Sequence, residues 1–354
     1  MGLESSIQST GRFRLGKAVH VLRQSLKILF SAFKSDRAYL IISSSRFGFI
    51  KDFIAIWICF LSRCPITVHL NGGGYTKFYN DQPGFIQQVI SITLNRTESI
   101  IVLGELLKKQ FHFVSQPRIV IIPNGVPAPG ESRPLRTLKL PPAQGQTWEF
   151  LYLSNLMHTK GYLAAAKAFA ELILENQLNV SIHFCGSFLH SSIEGSENVS
   201  ERHRVQFHSL IHDPQLRGRL VYYGHADDSM KKRMLERCHS FLLPTEYPGE
   251  GQPLSIIEAM SFGLPTIATR HAAIPEMIQD GENGILLASA STTDIKNAVI
   301  RMITQPQSQY ASMSRQSIRR YRVDFTKEQH LFRLSSVLGI PQPAAIESED
   351  SIAA

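Results

Sequence analysis

Ser240-Phe241-Leu242-Leu243-Pro244-Thr245-Glu246-Tyr247-Pro248-Gly249-Glu250-Gly251-Gln252-Pro253-Leu254-Ser255-Ile256-Ile257-Glu258-Ala259-Met260 reads as a short apolar strand ending at Leu243, a Gly/Pro loop, and a helix opening near Pro253. Proline suits the first helical position because its missing N–H would have no partner there anyway. Strand, loop and helix in that order are the repeating piece of a parallel sheet with crossover helices. Outward from it, short β-branched runs alternate with longer helical patterns over most of the chain. Strands are expected at 38–42, 66–69, 99–103 and 119–122, with helical patterns at 46–61, 84–95 and 105–113. Further strands are expected at 150–153, 180–184, 220–223, 240–243, 265–268 and 284–287. The fold class is therefore α/β, with two doubly wound parallel sheets. Prolines at 127, 129, 134, 141 and 142 with glycines at 130 and 145 exclude helix and central strand between Pro127 and Gln146, which places a linker there. The expected domains are 1–140, 141–325, and a terminal helix and tail over 326–354 that frays from Pro341 onward. Two such sheets facing each other leave a cleft at the carboxyl ends of their strands, where ligands bind in open α/β folds.

A length of 354 residues fits two domains, and 43% hydrophobic with 19% charged residues excludes a disordered, collagen-like or coiled-coil chain. Four cysteines, Cys59, Cys64, Cys185 and Cys238, form neither a disulfide framework nor a zinc spacing, which fits a reducing, cytoplasmic compartment. The opening Met-Gly-Leu-Glu-Ser-Ser lacks the basic and then apolar pattern of a signal peptide, so export is not expected. The longest apolar run, Phe53 to Leu61, is far short of the ~20 residues of a membrane span and is expected as a buried helix. Charge is uneven: residues 1–140 carry 18 Lys and Arg against 7 Asp and Glu, whereas the rest carries 19 against 22. An anionic partner for the first half follows, and the basic amphipathic stretch Arg12 to Lys34 points to a membrane surface on the inner face, with a solvated packed helix as the alternative. Nucleic acid is not expected, because no recognition motif interleaves the basic residues.

A helix N-terminus at the carboxyl end of a strand is an anion site, with unpaired amides and the positive end of a dipole. Gln252, Leu254 and Ser255 supply amides there, and Pro253 does not. Glu250 and Glu258, one in the loop and one a turn into the helix, are poor phosphate ligands but good acceptors for sugar hydroxyls. The plainer alternative is that Glu250 caps the helix and Glu258 faces water.

This text resembles family 4 of the retaining glycosyltransferases, whose GT-B fold consists of two facing Rossmann-like domains. Glu250 and Glu258 stand in its E-x7-E donor motif, followed by Ala259-Met260, Gly263-Leu264-Pro265-Thr266-Ile267-Ala268-Thr269, Ile274-Pro275-Glu276 and Asp280-Gly281-Glu282-Asn283-Gly284. Asn155-Leu156 through Lys160-Gly161 corresponds to the family's phosphate-binding segment, and Ile122-Pro123-Asn124-Gly125-Val126 to the turn closing its first domain. The resemblance covers roughly residues 65–290. It implies that Glu258 holds the ribose hydroxyls of a nucleotide sugar, that Glu250 contacts the sugar, and that Lys160 sits on the diphosphate as a point charge. The amides of Gln252 and Leu254 would share that charge, with Gly251 and Ser255 completing the donor site. Asp227-Asp228 lacks the intervening residue of the Asp-x-Asp metal motif, so neither metal nor cofactor is expected.

In the first domain, Thr67-Val68-His69-Leu70-Asn71-Gly72-Gly73-Gly74-Tyr75 leaves a strand and turns sharply. Its glycines permit close backbone approach, and His69 stands at a strand's carboxyl end, a place to meet an acceptor hydroxyl. A structural histidine is the alternative. The family usually has a histidine here, sometimes as His-x-His-Gly; this chain has Asn71 in place of the second histidine. Asn155 stands where the family has a phosphate-binding arginine, replacing a charged donor by a neutral amide. The family's opening strand and glycine-rich loop are not found at the start, so the expectation is either a start downstream of the true one or a trimmed variant whose first domain lacks that strand. The resemblance implies transfer of a sugar, most often from a UDP-sugar, to a hydroxyl of a glycan or lipid-linked saccharide in surface polysaccharide synthesis. The rival expectations are a nucleotide-sugar epimerase and an inactive nucleotide- or glycan-binding protein. The absence of a strand-following Gly-x-Gly-x-x-Gly disfavours a dehydrogenase.

Overall fold

A computed structural model of the chain describes residues 31–129, 138–189 and 197–341. Most of the basic stretch from Arg12 and the tail beyond Pro341 lie outside the described residues. The chain divides into two compact units, residues 1–122 and 123–354.

In the first unit, β1 (Ala38–Ile41), β2 (Ile66–His69), β3 (Ser99–Val102) and β4 (Arg118–Ile121) form a parallel sheet in sequence order. Between them run α1 (Arg46–Leu61), α2 (Tyr75–Asn80), α3 (Gly84–Leu94) and a 3-10 turn over Glu105–Phe111. The helical pattern near 105–113 is thus present as a seven-residue 3-10 turn rather than an α-helix. Every residue of β2 and β3 is buried, as befits inner strands covered on both faces. Helix α1 starts where the Ser45 hydroxyl accepts from the Gly48 amide. It buries Phe49, Asp52, Ala55, Ile56 and Cys59. The expectation of a buried helix holds for this face alone, because Phe47, Ile50, Phe60 and Leu61 are exposed.

The second unit holds β5 (Trp148–Leu153), α4 (Tyr162–Leu174), β6 (Val180–Cys185), α5 (Glu197–Ile211), β7 (Leu220–Tyr222), α6 (Asp228–Arg237), β8 (Ser240–Leu243), α7 (Leu254–Ser261), β9 (Thr266–Thr269), α8 (Ile274–Met277), β10 (Gly284–Leu287), α9 (Thr292–Thr304), α10 (Gln307–Asp324) and α11 (Lys327–Leu338). Its six parallel strands lie in the order β10-β9-β8-β5-β6-β7. From β5 the chain winds outward through β6 and β7, then returns to β8 on the other side of β5 and winds away. The reversal falls between β5 and β8, and such a switch point opens a crevice because the loops on its two sides diverge. A continuous apolar core runs from Val126 to Phe325. Of the proline-rich stretch after Pro127, residues 130–137 lie outside the described residues, and the rest belongs to the second unit. All four cysteines are buried and free.

Candidate functional site

The loops after β5 and β8 carry the donor-motif residues, and hydrogen bonds stitch them together. After β5 the chain turns through a 3-10 turn, His158–Lys160, whose Lys160 carbonyl accepts from the Tyr152 hydroxyl at 3.1 Å. Gly161 follows in a left-handed conformation (φ +73°), where a Cβ would collide with the Pro244 carbonyl oxygen. The glycine of Lys160-Gly161 therefore serves close approach of the two loops. From the β8 side, the Glu246 amide donates to the Thr159 carbonyl at 2.7 Å.

The loop before α7 is held along its length. The Thr269 hydroxyl donates to the Thr245 carbonyl, a His271 ring nitrogen bonds the Tyr247 carbonyl at 2.7 Å, and the Ala273 amide donates to Gly251 at 3.1 Å. The Asn124 amide donates to Gln252 Oε1 at 2.6 Å, and Asn124 Nδ2 donates to the Gln252 carbonyl at 3.1 Å. Asn124 thus braces the loop before α7, a role that its distance from Gln252 in sequence does not announce.

Within this frame the Glu250 carboxylate is 3.2 Å from Lys160 Nζ and accepts from the Thr245 hydroxyl at 3.2 Å. Lys160 Nζ also lies 5.4 Å from the centre of the Tyr247 ring. Helix α7 begins one residue later than expected: Pro253 is its N-cap, and no side chain caps it. Glu250, only 9% exposed, is turned towards Lys160 instead, which removes the alternative that it caps the helix. The first-turn amides of α7, including those of Leu254 and Ser255, are thus left without a side-chain acceptor at the carboxyl end of β8. Leu254 is exposed, whereas Gly251 and Gln252 are buried.

Glu258 is half-buried and lies 3.3 Å from Lys231 Nζ on α6, which also pairs with Asp228 at 3.0 Å. Burial draws the Lys231 pKa down, but the hydrogen bonds and charges of Asp228 and Glu258 outweigh it and leave the ammonium raised above its ordinary value. Lys231 therefore presents a permanent positive charge to Glu258, a partnership 27 positions apart that sequence reading missed. Asp227 caps α6 through the Met230 amide at 2.7 Å, so this acidic pair has a local role at the helix start. Asn155 is exposed just past β5.

In the first unit, His69 ends β2 and is 2% exposed, with Nδ1 bonded to the Tyr39 hydroxyl at 2.6 Å. Asn71 is exposed on the turn that follows. Of Gly72, Gly73 and Gly74 only Gly74 takes a positive φ (+80°), at the start of α2. Tyr75 is buried in an aromatic cluster with Phe78 and Phe111, 5.3 and 4.9 Å away between ring centres, so its side chain packs the core. Gln110 clasps this turn, accepting from the Tyr75 amide at 2.8 Å and donating to the Gly72 carbonyl at 3.3 Å. A cavity of about 280 Å³ lies at the other end of the second sheet, beside Gln279, Asn283, Arg319 and Arg320, and holds none of the residues expected to bind the donor.

Comparison with known proteins decides the family. The family described as glycosyl transferases group 1 matches residues 139–320, more than half of the chain. The chain belongs to that family. Among curated relatives of this group 1 chain, the putative colanic acid biosynthesis glycosyltransferase WcaL of Salmonella typhimurium is 29% identical over 130 residues, 33% of this chain and 30% of that protein. The amylovoran biosynthesis glycosyltransferase AmsK of Erwinia amylovora is 28% identical over 169 residues, 47% of this chain and 38% of that protein. The matches therefore span about a third of these relatives' lengths. Among solved structures, Anabaena HepE in complex with UDP superposes with a TM-score of 0.70 at 16% identity, covering 90% of this chain and 82% of that one. Sucrose-phosphate synthase from Thermosynechococcus elongatus gives 0.66 at 16% identity over 93% and 80%. With its two parallel-sheet α/β units, the group 1 chain has the GT-B fold.

Proposed function

We propose that the protein is a retaining glycosyltransferase of family 4 type, moving a sugar from a nucleotide-diphosphate sugar to a hydroxyl of a glycan or lipid-linked saccharide in surface polysaccharide synthesis. The observation that carries the reading is the convergence, at the reversal of the second sheet, of Lys160, Glu250, Glu258 and the uncapped N-terminus of α7. An anion on those amides meets a positive dipole end and a lysine whose present counter-ion is the carboxylate expected to bind sugar hydroxyls. Donor binding then exchanges partners: Lys160 moves from Glu250 to the diphosphate, and Glu250 turns to the sugar. Glu258, oriented by Lys231, accepts from the ribose hydroxyls. Residues 141–325 form the donor-binding domain and 1–140 the acceptor side, with Asn155 donating a neutral hydrogen bond where related enzymes use arginine.

In the reaction, the bond between the anomeric carbon and the donor phosphate oxygen breaks, and a bond from the acceptor oxygen to that carbon forms on the same face. The acceptor's proton passes to the departing phosphate oxygen, so no carboxylate nucleophile is needed. Lys160 and the amides of Gln252 and Leu254 stabilise the charge on the leaving diphosphate, the task a metal performs elsewhere. His69 and the Asn71–Gly74 turn serve the acceptor. A uridine-linked donor is favoured because solved structures of the same fold hold UDP and UDP-glucose. The test is a panel of nucleotide sugars read by thermal shift, where stabilisation grows with ligand concentration over Kd, followed by nucleotide-diphosphate release with glycan acceptors. UDP-sugar stabilisation with acceptor-dependent UDP release is expected. Isomerisation of the donor alone would assign an epimerase, and binding with no release would assign a binding protein.

A further inference from the structure

The outer surface of the first unit's helical layer is apolar and cationic. Helices α1 and α3 join consecutive parallel strands that lie in sequence order, and right-handed crossovers place both on the same face of the sheet. Helix α1 reads Arg-Phe-Gly-Phe-Ile-Lys-Asp-Phe-Ile-Ala-Ile-Trp-Ile-Cys-Phe-Leu, apolar apart from Arg46, Lys51 and Asp52, and α3 reads Gly-Phe-Ile-Gln-Gln-Val-Ile-Ser-Ile-Thr-Leu with no charge at all. A helix of that composition is ordinarily enclosed on all sides. Here one side packs and the other does not: Phe47 is 58% exposed, Ile50 52% and Leu61 74% on α1, and Phe85 is 67% and Ile92 50% on α3. On α1, positions 47, 50, 54, 58 and 61 fall on one stripe at helical spacing.

Charge identifies the occupant. The one carboxylate on the two helices, Asp52, is 1% exposed and turned inward, accepting from the Ser43 amide at 2.8 Å. The cations face outward. Arg46 and Lys51 lie towards the start of α1, Arg63 just beyond its end and Arg96 just beyond α3. The Arg96 guanidinium lies 4.7 Å from the centre of the Phe60 ring. Among the described residues Arg46, Arg63 and Arg96 make no ion pair, so their charge is available to an anionic surface. A protein interface would pair such cations with carboxylates, and a second copy of this face would bring cation against cation.

We infer that the outer face of α1 and α3 rests on an anionic lipid bilayer, with Phe47, Ile50, Leu61, Phe85 and Ile92 entering the headgroup boundary and Arg46, Arg63 and Arg96 meeting lipid phosphates. No helix among the described residues is long and apolar enough to cross a membrane, so the contact is interfacial. The inference rests on the first unit alone and stands or falls independently of the donor site. Its test is co-sedimentation of the full chain with phosphatidylcholine vesicles carrying about 30% phosphatidylglycerol, against pure phosphatidylcholine. The wild type is expected to pellet with the anionic vesicles and much less with the neutral ones. The Phe47→Ser/Ile50→Ser/Phe85→Ser/Ile92→Ser variant is expected to lose about tenfold or more in affinity. Should that variant fail to fold, Arg46→Gln/Arg63→Gln is expected to lose binding in the same direction. Wild type that ignores anionic vesicles, or surface variants that bind as well as wild type, would overturn the inference. So would a wild-type dimer in light scattering that the serine variant converts to monomer, since a second copy would then be the occupant. UDP-induced thermal shift, measured on the same samples, is expected to be unchanged by these substitutions and reports the donor reading separately.

Discussion

The two sheets of this chain are built from the same strand and helix alphabet, yet they differ in winding. In the second, the order reverses between β5 and β8, whereas the four described strands of the first run β1 to β4 without reversal. The reversal parts successive crossovers to opposite faces, and the loops leaving β5 and β8 diverge from a shared edge. Lys160, Glu250 and the start of α7 fall there. In the first sheet the corresponding loop, from His69 to Tyr75, is folded inward: His69 is bonded to Tyr39 and Tyr75 is packed among aromatic rings. Reversal thus goes with a charged edge, and unreversed winding with a loop whose exposed features are Asn71 and a glycine backbone. The units also differ in how they hide apolar surface. The second encloses one continuous core and spreads exposed apolar residues such as Leu174, Val205, Val323 and Phe332 over separate helices, while the first gathers Phe47, Ile50, Leu61, Phe85 and Ile92 on two.

The contrast is most readily broken at Lys160. Replacing it by Met removes the cation at the reversal and leaves the buried Glu250 carboxylate without its partner. Turnover per donor bound should fall about a thousandfold, ~4 kcal/mol of transition-state stabilisation, with a lower melting temperature of the second unit. Steady-state nucleotide release and calorimetry measure the two effects. If the first unit serves the acceptor alone, His69→Ala should lower kcat by about a hundredfold with donor Kd within about twofold of wild type. Loss of donor binding in that variant would erase the division of labour.

Much of the fold was legible in the sequence. Each expected strand is present, because four-residue β-branched runs bounded by turn residues leave few alternatives. The Lys160-Gly161 and Glu250 to Glu258 segments stood out by their resemblance to a family, and the structure brings Lys160 and Glu250 within 3.2 Å. What escaped was contact through space. Lys231 meets Glu258, Asn124 clasps Gln252 and Gln110 holds the glycine turn across 27 to 128 positions, and no local pattern encodes those pairs. The exposure of α1 escaped for a related reason: Phe53 to Leu61 is equally apolar whether or not anything covers it, and burial is decided by neighbours in the fold.

Smaller effects sharpen the comparison. Glu258→Ala should weaken donor binding by about thirtyfold, ~2 kcal/mol, with kcat less affected. Lys231→Met should cost about fivefold, ~1 kcal/mol, in donor Kd and be restored by Lys231→Arg. Titration calorimetry with UDP distinguishes these from a purely structural role, in which Lys231→Arg would not rescue.

Acid should act on the two units with opposite sign. Burial pushes the Glu149 pKa up, but the His183 ring 3.6 Å away and the hydrogen bonds and charge of Arg237 overcome it and bring it to about 2. Its stabilisation is complete above the ordinary value of 4.5 and is lost as pH falls towards 2. Burial instead raises Asp52 above its ordinary 3.8, against the Ser43 amide and Lys51, so its contribution is present below that value and lost as pH rises through the folded one. Trp57 and Trp148, one in each unit, report urea unfolding separately in single-tryptophan variants. Between pH 6 and about pH 3 the second unit should lose stability relative to the first, and Arg237→Ala should flatten that difference.

The central claim is that the reversal in the second sheet grips the donor's diphosphate. A crystal structure with UDP bound tests it directly. The account predicts phosphate oxygens within hydrogen-bond reach of Lys160 Nζ and the Leu254 and Ser255 amides, with the ribose hydroxyls on Glu258 and the Lys160 to Glu250 pair opened. UDP seated elsewhere, or bound with that pair intact and α7 untouched, would contradict it.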